Sequence, residues 1–286
     1  MRIASLQPSI TITLAALNKL DALCACTRYC LEALPELAKH NLKILHDSWT
    51  ANTEEILAAK ADLVIASVPY RLESLAAILK SGLPILTLAP HSIADIYKDI
   101  RLIAAHVDAQ TEAESLIAQM QFTITSTSER TRNRTQTPVV FCEEWGKPII
   151  HSQSWVAELV EAAGGKYLGT PGCHTTPEAI AEANPDVLLF SWCGAGNRVP
   201  LERVIAQRNW HHLKAVRERR VYCIPDEYLN TPAQTLLEGL GCIAAATHPQ
   251  THPPHPELIQ LQKLEFTEAE ASSDPDRSPA SALSAK

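Results

Sequence analysis

The chain has 286 residues, 46% of them hydrophobic and 20% charged, with a net charge of −7. That length makes one large domain or two of ordinary size; the acidic balance excludes a basic nucleic-acid-binding face, and no run reaches the ~18 apolar residues of a membrane-inserted segment. Eight cysteines in a chain this apolar read as free thiols in a reducing compartment rather than as a disulfide framework.

"MRIASLQPSITITLAAL" goes straight into a first strand and helix. Thr11 and Thr13 interrupt the apolar run and no A-x-A site follows, so it lacks the parts of a secretory leader. The expected location is the cytoplasm if Met1 is the true start. "ALCACT" is a second strand, with Cys24 and Cys26 expected on the same side of it. "ANTEEILAAK" opens on Asn52 with Glu55 three residues on, the reciprocal cap of a helix. "DLVIAS" is apolar throughout, as suits a parallel sheet covered on both faces. "RLESLAAILKSG" is a helix closed by Gly82, and "PILTLA" is the next strand.

From Ser92 the texture changes. Ile93, Ile96, Ile100, Ile103 and Val107 recur at three- and four-residue steps, which predicts one long amphipathic helix over residues 92–136, broken in strand signal only by "FTIT". Alternation then restarts. "TPVVFCEEW" is a strand, "SWVAELVEAAGG" a helix, and "TTPEAIAEAN" a helix with Thr175 and Glu178 in cap spacing. "DVLLFSW" is a buried strand, "PLERVIAQRNWHHLKAV" a helix and "RVYCIP" a strand. "TPAQTLLEGLGCIAAATHP" is a final helix with Pro232 near its first turn. "HPQTHPPHP" reads as a stiff exposed linker. The Ser/Ala/Asp/Pro-rich end reads as a disordered tail over residues 257–286.

"ADLVIAS" and "PDVLLFS" are one phrase used twice, each after a capped helix and before a tip of small, Pro, Gly and aromatic residues. The architecture is therefore duplicated: an α/β fold of two Rossmann-like lobes with parallel sheets, residues 1–91 and 137–256, joined by a single long helix. Ligands of open parallel sheets sit beyond the carboxyl ends of the strands. The tips "SVPYRLE" and "SWCGAGNRVPLE" should face each other across a cleft.

The chain resembles the solute-binding proteins that feed ABC importers of cobalamin, iron–siderophores and haem. The resemblance covers residues 2–249 and rests on "RIASLQPSITITLAAL", "CTRYC", "SWTANTEEILAAKADLVIAS", "GLPILTL", "WVAELVEAAGG", "IAEANPDVLLFS", "WHHLKAVRERRVYCIP" and "PAQTLLEGLG" in this order. "FCEEWGKPIIHSQSWVAELVEAAGG" is most similar to the cobalamin-binding branch. The resemblance implies a monomer with a periplasmic location, a corrinoid or iron chelate as ligand, and an ABC permease as partner. It implies no catalytic residue and no cofactor beyond the ligand.

A flat tetrapyrrole needs aromatic faces and a few polar groups. The rings at predicted strand ends and loops are Tyr29, Trp49, Tyr70, Trp145, Trp192 and Tyr228. Ser9 starts the first helix, where its hydroxyl either points into the cleft or caps the helix. By resemblance Asp226 and Tyr228 contact the ligand's edge; Asp226 alternatively serves as a turn residue. Glu73 and Glu202 open the helices after the twin tips and, by resemblance, dock on permease arginines. A helix-dipole preference for acids explains the same positions.

Among eleven histidines, His46, His91, His151 and His174 fall in loops or at element ends; His151 and His174 read first as solvated loop residues and, failing that, as candidates for a lone axial ligand. His211 and His212 are adjacent and point about 100° apart, which rules out easy sharing of one ion. No metal site is assigned. Cys24, Cys26 and Cys30 read as structural. Two competing readings are a tetrapyrrole-handling enzyme of chelatase type, and a cytoplasmic corrinoid binder or scaffold without a transporter. A single connecting helix favours the binder; two ordinary crossovers favour the chelatase.

Overall fold

The computed structural model describes residues 1–47, 49–132 and 136–262. The first lobe runs β1 (Ile3–Ser5), α1 (Pro8–Ala16), β2 (Leu23–Thr27), α2 (Arg28–Ala33), β3 (Lys43–Leu45), α3 (Thr53–Ala58), β4 (Leu63–Ser67), α4 (Leu72–Lys80) and β5 (Ile85–Leu88). Its five strands are all parallel, in the order β3-β2-β1-β4-β5. The unbroken apolar run of β4 is explained by burial on both faces. Leu63 and Ile65 enter an inner core with α1, while Val64 and Ala66 join an outer cluster with Ile56 of α3 and Ile78 of α4.

Two local details differ from the sequence reading. Asn52 caps α3 by accepting from the Glu54 N–H at 2.9 Å, but Glu55 turns away to bond His46. The β1–β2 register slips between Ile3 and Ala4, so Cys24 is an extra residue in its strand. Cys24 consequently packs on the outer cluster and Cys26 on the inner core, not on one side as the alternation predicts. None of the eight cysteines is in a disulfide.

The segment expected as one helix over residues 92–136 is two: α5 (Ile93–His106) and α6 (Gln110–Thr131). Asp108 adopts φ 51°, and the Ala109 N–H closes back on the Ala104 carbonyl at 3.1 Å. This is a left-handed helix stop of the kind short polar side chains tolerate. The isoleucines of α5 are buried as their spacing demands. Arg101 then ties α5 to α6 through Glu114, at 2.6 and 2.9 Å. The single long joining helix is α6, whose 22 residues span about 33 Å. "FTIT" lies inside it; Thr123 within it and Thr127 just after it satisfy their hydroxyls on carbonyls one turn back.

The second lobe runs β6 (Val139–Gly146), β7 (Ile149–His151), α7 (Ser154–Ala162), β8 (Lys166–Tyr167), β9 (His174–Thr175), α8 (Pro177–Ala183), β10 (Val187–Phe190), α9 (Leu201–Gln207), α10 (Lys214–Arg217), β11 (Val221–Cys223), α11 (Leu236–Thr247) and β12 (Ile259–Gln260). A parallel centre of β11, β10, β6 and β8 is extended by antiparallel β7, β9 and β12 at its edges. The duplication is visible atom by atom. Asp62 accepts the Arg2 N–H at 2.7 Å, just before β1, and Asp186 accepts the Val139 N–H at 2.7 Å, at the start of β6. As in β4, the residues of β10 alternate, Val187 and Leu189 inward, Leu188 and Phe190 outward.

The inner core is continuous through both lobes and takes residues from α1, α5, α6, α7 and α11. Hydrogen bonds also cross between the lobes, from the Ile93 N–H to Glu158 at 3.2 Å and from the Gln234 amide to the Ile12 carbonyl at 3.1 Å.

Five further expectations change in this lobe and the segment after it. Thr176, not Thr175, caps α8, because Pro177 takes the first helical position. Left-handed Asn209, at φ 55°, splits the helix expected between Pro200 and Val216. The last helix starts at Leu236, several residues after Pro232. The histidine-rich stretch is exposed at its prolines, as expected of a linker, but its histidines are packed: His248 and His252 are buried, His248 lies 3.1 Å from the Gly164 carbonyl, and His255 bridges Cys242 and Glu238. Residues 257–262 follow it, with Ile259 and Gln260 pairing to β11 as β12, which shortens the expected tail. The disorder expected of residues 263–286 lies outside the described residues.

Candidate functional site

The carboxyl end of β6 builds the second tip. Phe141 and Glu143 face the outer helices, and Glu143 has no exposed surface. Its carboxylate accepts two bonds from the Arg208 guanidinium, at 2.6 and 2.7 Å, and a third from the Trp192 indole N–H at 2.8 Å. Arg208 also donates to the Gly146 carbonyl at 3.2 Å and stacks 4.8 Å from the Trp210 ring centre. Burial pushes the Glu143 carboxyl upward, and Arg208 and Trp192 pull it back. The Trp192 ring lies so close to Gly146 that any Cβ there would overlap it. The indole is thus fixed at its nitrogen and along its edge.

Trp145 is 45% exposed, with its own indole N–H on the Lys147 carbonyl at 3.1 Å. Both rings line a pocket of about 800 Å3, walled also by Pro148, Pro177, Ala195 and Val204. Every residue lining it belongs to the second lobe.

The loop "SWCGAGN" is held from below. Asp226 accepts the Gly194 and Gly196 N–H groups at 2.7 and 2.8 Å, and both glycines take positive φ, a conformation other residues adopt only with strain. Asn230 adds bonds to the Ser191 carbonyl at 2.7 Å and to the Cys193 sulfur at 3.3 Å. On the inward side Glu144 accepts from the Gln153 amide at 2.7 Å, and burial pushes its carboxyl up. Tyr228 is half-buried against the inner core.

The first tip is more open. Trp49 is 51% exposed. Its main chain is bonded to Asp47 at 3.0 Å and to the Ser74 hydroxyl at 3.1 Å, and the Arg71 guanidinium lies 5.9 Å from its ring centre. Tyr70 is half-buried beside it. Tyr29 accepts from Arg28 at 2.7 Å. Ser9 is the second residue of α1 and buried; the helix N-cap is Gln7, which settles the capping alternative against Ser9. Trp49 and Tyr70 precede α3 and α4, and Trp145 and Trp192 share the face of α8 and α9. Trp192 packs partly against the outer cluster of the second lobe, and Tyr228 against the inner core.

Glu73 and Glu202 are both exposed in the first turns of α4 and α9, Glu73 at 3.9 Å from Arg71. Among the histidines named from sequence, His46 pairs with Glu55 at 2.8 Å, and His91 and His174 are exposed. His151 is buried in the second lobe, edge-on to Phe141 and beside Tyr167, with its pKa lowered by burial. That position corrects its reading as an axial ligand: the ring is a core residue. Among the described residues no three His, Cys, Asp or Glu side chains gather as a metal site, and no helix is long and apolar enough to cross a membrane.

Sequence reasoning missed Glu143, Gly146, Arg208 and Asn230. Glu143 and Glu144 form a charged pair at the end of an apolar strand, and that oddity is the one signal that points to them.

A family model described as periplasmic binding protein matches residues 3–228. An uncharacterized ABC transporter substrate-binding lipoprotein of Bacillus subtilis is 24% identical over 262 residues, covering 87% of this chain and 81% of the relative. A periplasmic heme-binding protein from Pseudomonas aeruginosa superposes with a TM-score of 0.81 at 16% identity, covering 92% of this chain and 98% of that one. The periplasmic vitamin B12-binding protein of Vibrio cholerae gives 0.68 at 23% identity, covering 86% and 96%.

Proposed function

The chain belongs to the periplasmic binding protein family, and on that premise we propose that it captures a flat tetrapyrrole, a corrinoid or haem-type ligand, between its lobes for an ABC importer. The family is one of binding proteins, and the role is binding without catalysis. The observation that carries the ligand class is the indole-walled pocket of Trp145 and Trp192 at the carboxyl ends of the second sheet. A pocket of that volume is in the range that takes small ligands, and its rings suit the face of a macrocycle. The names of the haem- and vitamin B12-binding structures of the same fold support the same class. The family's name supports a location outside the cytoplasmic membrane. The one long helix α6 favours the binder over the chelatase, which calls for two ordinary crossovers.

Within this reading Trp49, Tyr70, Trp145 and Trp192 face the ligand, with Tyr29 and Tyr228 at its margins. Asp226 acts through the loop it holds. Ser9, buried in the first turn of α1, is a contact to the ligand by resemblance alone. Glu73 and Glu202 are the carboxylates offered to the permease, a two-point electrostatic contact. The protein acts as a monomer.

An absorbance titration with cyanocobalamin, haemin and a ferric siderophore tests the reading. The expected result is a saturable spectral change with one of the first two at one equivalent. No change with any of the three refutes it, and a response to the siderophore alone refutes the tetrapyrrole assignment.

A further inference from the structure

Glu143 and Glu144 point to opposite sides of β6, and the protein answers their charges differently. Glu143 is neutralised by Arg208. Glu144, on the inward side, is partly exposed and takes instead the neutral Gln153 amide at 2.7 Å, with the Cys193 sulfur 3.8 Å away. Among the described residues it forms no ion pair. The amide donors around it are already engaged, Gln153 on Glu144 itself and Asn230 on the Ser191 carbonyl and the Cys193 sulfur. The acceptors are not. Ser191 is 1% exposed and its Oγ has no hydrogen-bond partner among the described residues, nor has the buried Asn230 Oδ1. This end of the sheet is therefore rich in acceptors around a carboxylate that no cation offsets.

The duplication repeats the position. Asp62 and Asp186 mark Arg2 and Val139 as equivalent, so Gln7 is the first lobe's counterpart of Glu144. It too is partly exposed and carries no positive charge, with its amide on the Pro69 carbonyl at 3.0 Å. The arginines of that tip, Arg28 and Arg71, are exposed and lie beside Tyr29 and Trp49. A corrinoid is fringed with primary amides, which donate hydrogen bonds; a haem ends in carboxylates, which when ionised only accept them. An amide N–H reaching Glu144 finds the acceptor it needs, whereas a carboxylate meets like charge in a site short of donors. We propose that Glu144 is a specificity residue: it accepts from an amide on the ligand's edge and turns a carboxylate away, so the ligand is an amide-edged corrinoid rather than a haem. This rests on the function proposed above and narrows its ligand class.

Equilibrium titrations of the full chain with cyanocobalamin and with haemin test it. Burial pushes the Glu144 carboxyl up, so they are run at about pH 8 to favour its ionised form. The unaltered protein should bind cyanocobalamin at least about tenfold more tightly than haemin. Glu144→Gln keeps the volume and an acceptor but removes the charge. It should tighten haemin about tenfold and leave cyanocobalamin within about threefold. Glu144→Leu, which removes the acceptor as well, should weaken cyanocobalamin about tenfold. Thermal unfolding by circular dichroism checks that both variants fold. Tighter binding of haemin by the unaltered protein, or equal shifts for the two ligands in Glu144→Gln, overturns the edge-reading role and leaves the proposed function standing. Binding of neither ligand overturns the function itself, and the role of Glu144 falls with it.

Discussion

Replacing Glu143 by Gln changes one atom type in the most buried charge of the second tip. The carboxylate has no exposed surface, and Arg208 reaches it at 2.6 and 2.7 Å with little surface of its own. A glutamine presents an NH2 where the guanidinium needs an acceptor, which strands a buried cation. Breaking such a pair costs about 3–5 kcal/mol, against about 0–1 kcal/mol for an exposed one. For a chain of this size that is a fall of roughly 6–15 °C in the unfolding midpoint. Urea and thermal unfolding, followed by circular dichroism, measure it directly. The double variant Glu143→Met with Arg208→Met supplies the control, because it removes both charges and leaves apolar volume. It should recover most of the stability but not the ligand affinity, since the Trp192 indole still lacks its acceptor. A cost below 1 kcal/mol for Glu143→Gln, or full recovery of ligand affinity in the double variant, refutes the claim that this pair holds the ring in place.

Gly146→Ala should cost about 1–3 kcal/mol as an overpacked contact, and should weaken ligand binding in equilibrium titration because Trp192 must move. The Asp99 carboxyl is raised from 3.8 to about 6, chiefly by burial and then by Asp95, with Lys98 opposing. A raised carboxyl contributes stability below its unfolded value that is lost as pH rises through about 6. Asp99→Asn should therefore match the unaltered protein in urea unfolding at pH 3.5 and exceed it by about 1 kcal/mol at pH 7.5, after allowance for solvent screening. Glu73→Ala combined with Glu202→Ala should leave ligand titrations unchanged and abolish ligand-stimulated ATP hydrolysis by the cognate importer in proteoliposomes. Full stimulation by that double variant removes the docking assignment.

The elements that sequence reveals are those fixed by local rules. "DLVIAS" and "DVLLFS" are apolar on both faces because each is a central parallel strand, and Asn52 marks a helix start because it satisfies a free N–H. What stays hidden depends on partners far away or on single dihedral angles. The Asp108 stop between α5 and α6 interrupts an isoleucine repeat that continues to Val107, so periodicity alone runs past it. The extra residue at Cys24 reverses the facing of its strand without changing its composition. At the site, the rings Trp145 and Trp192 are legible because each stands at the carboxyl end of an expected strand. Glu143 and Arg208 are 65 positions apart, and no spacing rule joins them. His151 misleads for the opposite reason: a strand-end histidine is packed by Phe141 and Tyr167, which only the fold brings near.

The duplication explains why such a site divides unevenly. Each lobe uses the same aspartate, Asp62 or Asp186, to lock its first strand to the strand beside it, so the two sheet ends are set with equal care. Beyond those ends the copies part. The first lobe goes from β4 to α4 through a short tip with no glycine. The second inserts "CGAGN" before α9, and two glycines there turn their N–H groups onto Asp226. Trp192 is the second residue beyond β10 and precedes that insertion, so its bond to Glu143 belongs to the strand ends, while the insertion is the part that Asp226 clamps.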